Sequence, residues 1–262
     1  MAIIAITNQK GGVGKTTTAI NLGAGLALAG KKTLIVDLDA QCNATQALYR
    51  RLEEGERGVC EVLLEETPIE EIVVPTSVEG LFIAPAGESL ANADLNLASL
   101  MGRERYLKNT LSGGGAAAFD HVVIDTGPYL GLLIVNAYVA SDFLIVPVSC
   151  DYLPLLGIKL LLETIEKVRR KLHPDLSILG FLLTMYDRRE RITFSVEEVL
   201  MRQFGERIFN TRIRINTKHR SAPSVRETIF QYEKSNVGKG TQDFNALTEE
   251  VLARLSGGTG HG

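Results

Sequence analysis

A short apolar run, IIAIT at residues 3–7, leads straight into NQKGGVGKTTTAI at 8–20, and this junction limits the possible folds more than any other stretch of the chain. The pattern G-x-x-x-x-G-K-[ST] would need glycine at position 9, where Gln9 stands; Gly14, Lys15 and Thr16 are intact. Between a strand and a helix, the backbone N–H groups of Gly11, Gly12, Val13, Gly14, Lys15 and Thr16 can wrap a β-phosphate, and the helix N-terminus adds its partial positive charge. Lys15 then reaches the β- and γ-phosphates and Thr16 offers its hydroxyl to Mg²⁺. The motif needs one lysine, so Lys10, just ahead of the glycines, calls for a separate explanation.

Further apolar runs follow: TLIVDLD (33–39), LFIAPA (81–86), HVVIDT (121–126), DFLIVPV (142–148) and LSILGFLLT (176–184). Runs apolar on both faces read as interior strands of a parallel sheet. Residues 15–30, 90–111, 131–140, 155–172, 193–204 and 242–255 read as helices, the last with Phe244, Leu247, Val251, Leu252 and Leu255 on one face. The alternation predicts an α/β fold of three layers, a mostly parallel sheet flanked by helices with right-handed crossovers. Residues 1–255 are expected to form one domain and 256–262, SGGTGHG, a flexible tail.

Two further places carry acids. Asp37 and Asp39 close the second run on one side of the strand, at the end of the sheet that borders a ligand crevice, where one carboxylate can orient an attacking water. The alternative is a pair of solvated carboxylates. Asp125 ends the fourth run, the position expected for an acid that holds the water shell of Mg²⁺.

Charge is uneven. Nine Lys/Arg against four Glu lie from Arg188 to Arg220, a local +5, so with a net charge of −3 the rest of the chain carries −8. This reads either as a surface for a polyanion or as a solvated face. Cys42, Cys60 and Cys150 form no C-x-x-C pair, which suits a reducing cytosol, and Cys42 reads as a small filler. The first residues lack the pattern of a signal peptide and no run reaches bilayer length, so a cytoplasmic protein is expected.

KGGVGKTTTAINL, DLDAQCNAT, VVIDTGP, LLTMYD and NTKHRSAPS stand in the order and spacing of the ParA/Soj branch of deviant-Walker P-loop ATPases, and from residue 2 to about 255 the chain resembles that branch. The resemblance implies an ATPase using ATP and Mg²⁺. It makes Lys10 a lysine that crosses an ATP-sandwich homodimer to the partner's phosphates; contact with its own nucleotide is the alternative. It implies Lys10, Lys15 and Asp39 as catalytic, Asp125 as the Walker B acid, Thr16 as the Mg²⁺ ligand and Thr17 as an α-phosphate contact. Met185, Asp187 and Asn216 would surround the base. It further implies sequence-independent binding of double-stranded DNA by the ATP dimer, nucleoid association, and hydrolysis stimulated by a ParB-like or other cargo-bound partner. Arg189 and Lys218 match DNA-contact positions; Arg191, Arg202 and Arg220 are added from charge alone. The cargo stays open among a chromosome, a plasmid and other assemblies.

This sequence departs from the branch at Ala40, Cys42, Gly127 and Arg214-Ile215, the last beside the expected base contacts. A MinD-like membrane-cycling ATPase is the runner-up, but the acid-bearing last helix does not supply a basic amphipathic anchor. A metabolic P-loop ligase or an iron–sulfur reductase is a third class, for which the DNA-facing charge and the cysteine spacing respectively do not fit.

Overall fold

The computed structural model describes residues 1–150 and 155–257, so the expected tail beyond Gly257 lies outside the described residues. Its strands are β1 (Ala2–Ile6), β2 (Thr33–Leu38), β3 (Val74–Pro75), β4 (Leu81–Ala84), β5 (His121–Thr126), β6 (Phe143–Ser149), β7 (Ser177–Tyr186) and β8 (Ile208–Arg214). They form one sheet in the order β3-β4-β2-β5-β1-β6-β7-β8, parallel throughout except where β3 meets β4. All six apolar runs are strands. β1 sits between β5 and β6, where the winding reverses, and the crevice at the carboxyl ends of such strands is where α/β sheets take ligands.

The helices are α1 (Lys15–Leu28), α2 (Asn43–Leu48), α3 (Val59–Leu64), α4 (Ala93–Ala98), α5 (Tyr106–Ser112), α6 (Leu132–Ala140), α7 (Leu155–Lys171), α8 (Arg191–Phe204), α9 (Lys218–Ser224), α10 (Ile229–Glu233) and α11 (Lys239–Gly257). Side chains alternate along each strand, so Ile3 and Ala5 share a core with α3 to α8, while Ile4 and Ile6 share the other with α1, α2, α10 and α11. Burial of both faces is why these strands are apolar without alternation.

The structure adds β3, α2, α3, α9 and α10 to the elements expected from the sequence, and it departs from the expectation in two further places. Residues 90–111 are two helices, not one: the chain turns at Gly102, φ 67°, and Asn136 of α6 fills the break, donating to the Arg103 carbonyl at 2.7 Å and accepting from the Leu107 N–H at 3.2 Å. Strand β8 was read only as basic sequence. Glu250 of α11 holds its edge, accepting from the N–H groups of Asn210 at 2.7 Å and Thr211 at 2.8 Å. The last helix docks as expected, with Phe244, Leu247 and Val251 wholly buried. No helix among the described residues is long and apolar enough to cross a membrane.

Candidate functional site

Helix α1 begins at Lys15 behind Gly14, which has φ 86° and no side-chain cap. A left-handed turn of this kind suits glycine, and the missing cap leaves the first N–H groups of the helix available to an anion. Above them opens a cavity of about 680 Å³. Its phosphate-sized end is formed by Gly11, Gly12, Gly14, Lys15, Thr16 and Thr17 with Asp39. The far end is formed by Met185, the segment 213–217, His219 and Arg220.

Lys15 is only 6% exposed, and its ammonium donates to the Lys10 carbonyl at 3.1 Å. Burial lowers its pKa, and Asp125 and Asp39 work against that fall. Val13 does not line this cavity; its carbonyl accepts from the Thr184 hydroxyl at 2.9 Å, which ties the loop to β7. Lys10 is exposed and lines a smaller cavity of about 220 Å³, its ammonium 3.3 Å from the Ser149 hydroxyl.

Of the two acids at the end of β2, Asp37 within the strand and Asp39 just past it, only Asp39 lines the main cavity. Asp37 is wholly buried and accepts from both the Thr45 N–H at 2.8 Å and the Thr45 hydroxyl at 2.7 Å. Burial still pushes its carboxyl up to about 6. Asp37 also fixes its neighbour, accepting from the Asp39 N–H at 3.2 Å, while Asp39 accepts from the Gln41 N–H at 3.0 Å. Gly127 backs Asp39 so closely that a Cβ there would stand 3.2 Å from its Oδ1. Thr45, which the sequence reading passed over, thus supports the whole acidic corner; its threonine eight residues after Asp37 was the available signal. Thr45→Val is expected to cost about 2 kcal/mol in urea unfolding, because Asp37 loses a donor and the Ala86 N–H, at 2.8 Å, loses its acceptor. An unchanged midpoint would refute that support.

Asp125 is the unusual member. It is wholly buried and neither carboxylate oxygen has a hydrogen-bond partner of good geometry, although Thr16 is near enough to soften the effect. Burial first, then the charge of Asp37, raises its pKa well above the ordinary value. An orphaned carboxylate beside a threonine hydroxyl fits a hard cation with its water shell. Among the described residues no three His, Cys, Asp or Glu cage a metal by themselves; Mg²⁺ is an ion that leans on substrate phosphates.

At the base end the residues diverge. Met185 lines the cavity in a left-handed conformation, φ 50°. Asp187 does not line it; its carboxylate grips Arg189, at 2.9 Å to Nε and 2.6 Å to the far nitrogen, which holds that acid down at about 2. Asn216 lines the cavity but is already engaged, accepting from the Lys218 N–H at 3.0 Å and donating to Glu233 at 3.1 Å. Cys42 occupies a left-handed turn, φ 51°, at the start of α2, and burial pushes its thiol up to about 12, the behaviour of a filler.

The basic segment is partly neutralised. Arg189 pairs with Asp187 at 2.6 Å, Arg202 with Glu198 at 2.6 Å, Lys218 with Glu233 at 3.5 Å, and Arg212 with Glu197 at 2.6 Å. Arg191 and Arg220 are exposed and make no ion pair among the described residues. Arg220 lines the nucleotide-sized cavity as well.

Comparison with known proteins agrees with this geometry. A family model described as an AAA domain matches residues 1–178. The sporulation initiation inhibitor protein Soj of Bacillus subtilis (strain 168) is 41% identical over 251 residues, spanning 96% of this chain and 98% of that protein. The chromosome-partitioning ATPase Soj of Thermus thermophilus is 44% identical over 252 residues, spanning 96% of each. Among solved structures, cobyrinic acid a,c-diamide synthase from Mycobacterium smegmatis, with bound ATP analogue and magnesium, matches with a TM-score of 0.85 and 31% identity, covering 98% of this chain and 97% of that one. A phosphate loop, an orphaned acid and the identity to both Soj proteins along nearly their whole length together place this chain in the Soj/ParA family of partitioning ATPases.

Proposed function

We propose that this chain is a partition ATPase that hydrolyses ATP with Mg²⁺ and uses the γ-phosphate to switch a homodimer on duplex DNA. The observation that carries this reading is the cavity itself, where a phosphate loop, Asp39 and the unpartnered Asp125 converge. Lys15 and the loop N–H groups hold the phosphates, Thr17 the α-phosphate, and Thr16 and Asp125 the ion; Asp39 orients water. Bound Mg²⁺ supplies charge neutralisation between the phosphate oxygens. Residues 1–255 act as one ATPase domain.

Lys10 is assigned to the partner's phosphates across a two-fold interface, because it lies outside the lining of its own main cavity. Two tetraanionic nucleotides face to face repel, and one added cation from each subunit offsets that charge. The symmetry also doubles the basic surface, and Arg191, with Arg189, Lys218 and Arg202 once their carboxylates give way to phosphates, forms a band that binds by counterion release. A cargo-bound activator of ParB type then triggers hydrolysis, in the cytoplasm at the nucleoid. A MinD-like membrane cycle is disfavoured, since the apolar face of α11 is consumed in packing.

The test is retardation of a random-sequence duplex. Binding is expected with a non-hydrolysable ATP analogue, steeply weakened by salt, and absent with ADP; equal retardation by both nucleotides refutes the switch. Lys10→Ala is expected to keep monomer nucleotide binding while losing the dimer in light scattering, and a persisting ATP dimer refutes the role in trans.

A further inference from the structure

The polar side chains on the far wall of the main cavity are Arg214, Asn216, Thr217, His219 and Arg220, and most are committed elsewhere. Arg214 pairs with Asp243 at 2.7 Å. Asn216 braces the start of α9 through Lys218 and reaches Glu233. His219 packs edge-on against Phe244, centroids 5.6 Å apart, with both ring nitrogens buried and unpartnered. Burial lowers its pKa in spite of Asp243 and Glu233, so it adds no charge to the wall near neutral pH. Asp187, the other side chain expected near a base, is tied to Arg189 and does not line the cavity.

Arg220 is thus the one cation on that wall without a carboxylate partner among the described residues. It lines the same cavity of about 680 Å³ as the phosphate loop. A guanidinium is planar, weakly hydrated and suited to lying on an aromatic face, which a lysine at the same place cannot do equally well.

We propose that Arg220 is a nucleotide-binding residue whose guanidinium stacks on the purine base, rather than part of the DNA surface. The inference rests on the reading of this cavity as the ATP site. It accounts for how a base is held although Asp187 and Asn216 are engaged with neighbours: the contact is made to the base face, not its edge.

Titration calorimetry with a non-hydrolysable ATP analogue and Mg²⁺, without DNA, tests it. Arg220→Ala is expected to weaken binding on the order of tenfold, equivalent to ~1.4 kcal/mol, and Arg220→Lys to recover only part of the loss. Inorganic tripolyphosphate, which has no base, is expected to bind wild type and Arg220→Ala alike. Unchanged affinity of Arg220→Ala for the analogue overturns the proposal. Full recovery in Arg220→Lys, or an equal loss for tripolyphosphate, overturns stacking in favour of a charge contact to phosphate. Failure of wild type itself to bind, with Lys15→Ala as the matching control, sinks the reading of the cavity instead. Because Arg220 is exposed and makes no ion pair, the nucleotide-free melting temperature is expected to stay unchanged and serves as the folding check.

Discussion

Asp125→Asn is expected to make the nucleotide-free protein more stable at neutral pH and almost inactive. The buried carboxylate has no hydrogen-bond partner and lies near Asp37 and Asp39, with Lys15 as the neighbouring cation. Its folded pKa is raised, so the unfolded chain loses the proton first as pH climbs past the ordinary carboxylate range. Apo stability attributable to Asp125 is therefore present in acid and lost as pH rises toward the folded value. Asp37, raised to about 6, adds a loss of the same sign between roughly pH 4 and 6. The amide removes the charge, and about 1–3 kcal/mol of relief is expected in thermal or urea melts. It also removes the group proposed to fix the water shell of the cation, and outer-shell losses of this kind cost about 10–100-fold in metal affinity. Mg²⁺ titration of ATP binding, followed beside the apo melting curve, separates the two effects. A destabilised apo protein, or an unchanged Mg²⁺ dependence, contradicts the account.

Asp39→Ala is expected to lower turnover by about 10²- to 10⁴-fold while leaving Mg²⁺–nucleotide binding in place. The carboxylate is set from three sides, by the backbone of Gln41, by Asp37 beneath its own N–H, and by Gly127, where a side chain would crowd it. A group held in this way, 7% exposed beside the phosphate loop, fits the proposed role in the reaction better than one in the binding of substrate. Single-turnover hydrolysis and equilibrium binding of the same variant distinguish these roles. Loss of affinity matching the loss of rate makes Asp39 a binding residue and removes its assignment to water. Asp37→Asn supplies the contrast, since its two bonds to Thr45 predict a stability defect first.

The layered fold was legible because six strands are buried on both faces and announce themselves as apolar runs. β8 was not, since polar and charged residues break its apolar run: Ile208, Phe209 and Ile213 are buried, while Asn210 is exposed and Arg212 is half-buried in a pair with Glu197. The interruption between α4 and α5 was equally hidden, because the side chain that fills it, Asn136, lies about thirty residues away. At the site, the loop, Asp39 and Asp125 could be read because spacing along a strand and a turn sets their positions. Thr45 left only a spacing as its signal, Asp187 could have turned to a base or to Arg189 two residues on, and the bond of Asn216 to Glu233 depends on a partner that the tertiary structure brings within 3 Å or so.

Thr184 joins two ends of the molecule that are far apart in sequence. Its hydroxyl grips the Val13 carbonyl in the phosphate loop, and the residue after it is Met185 on the wall of the base, followed by Tyr186, whose carbonyl takes the Ile215 N–H and whose phenol binds Glu197 of α8. One threonine thus tethers the phosphate loop to the end of β7, and from there hydrogen bonds continue to α8 and to the segment that leads into α9.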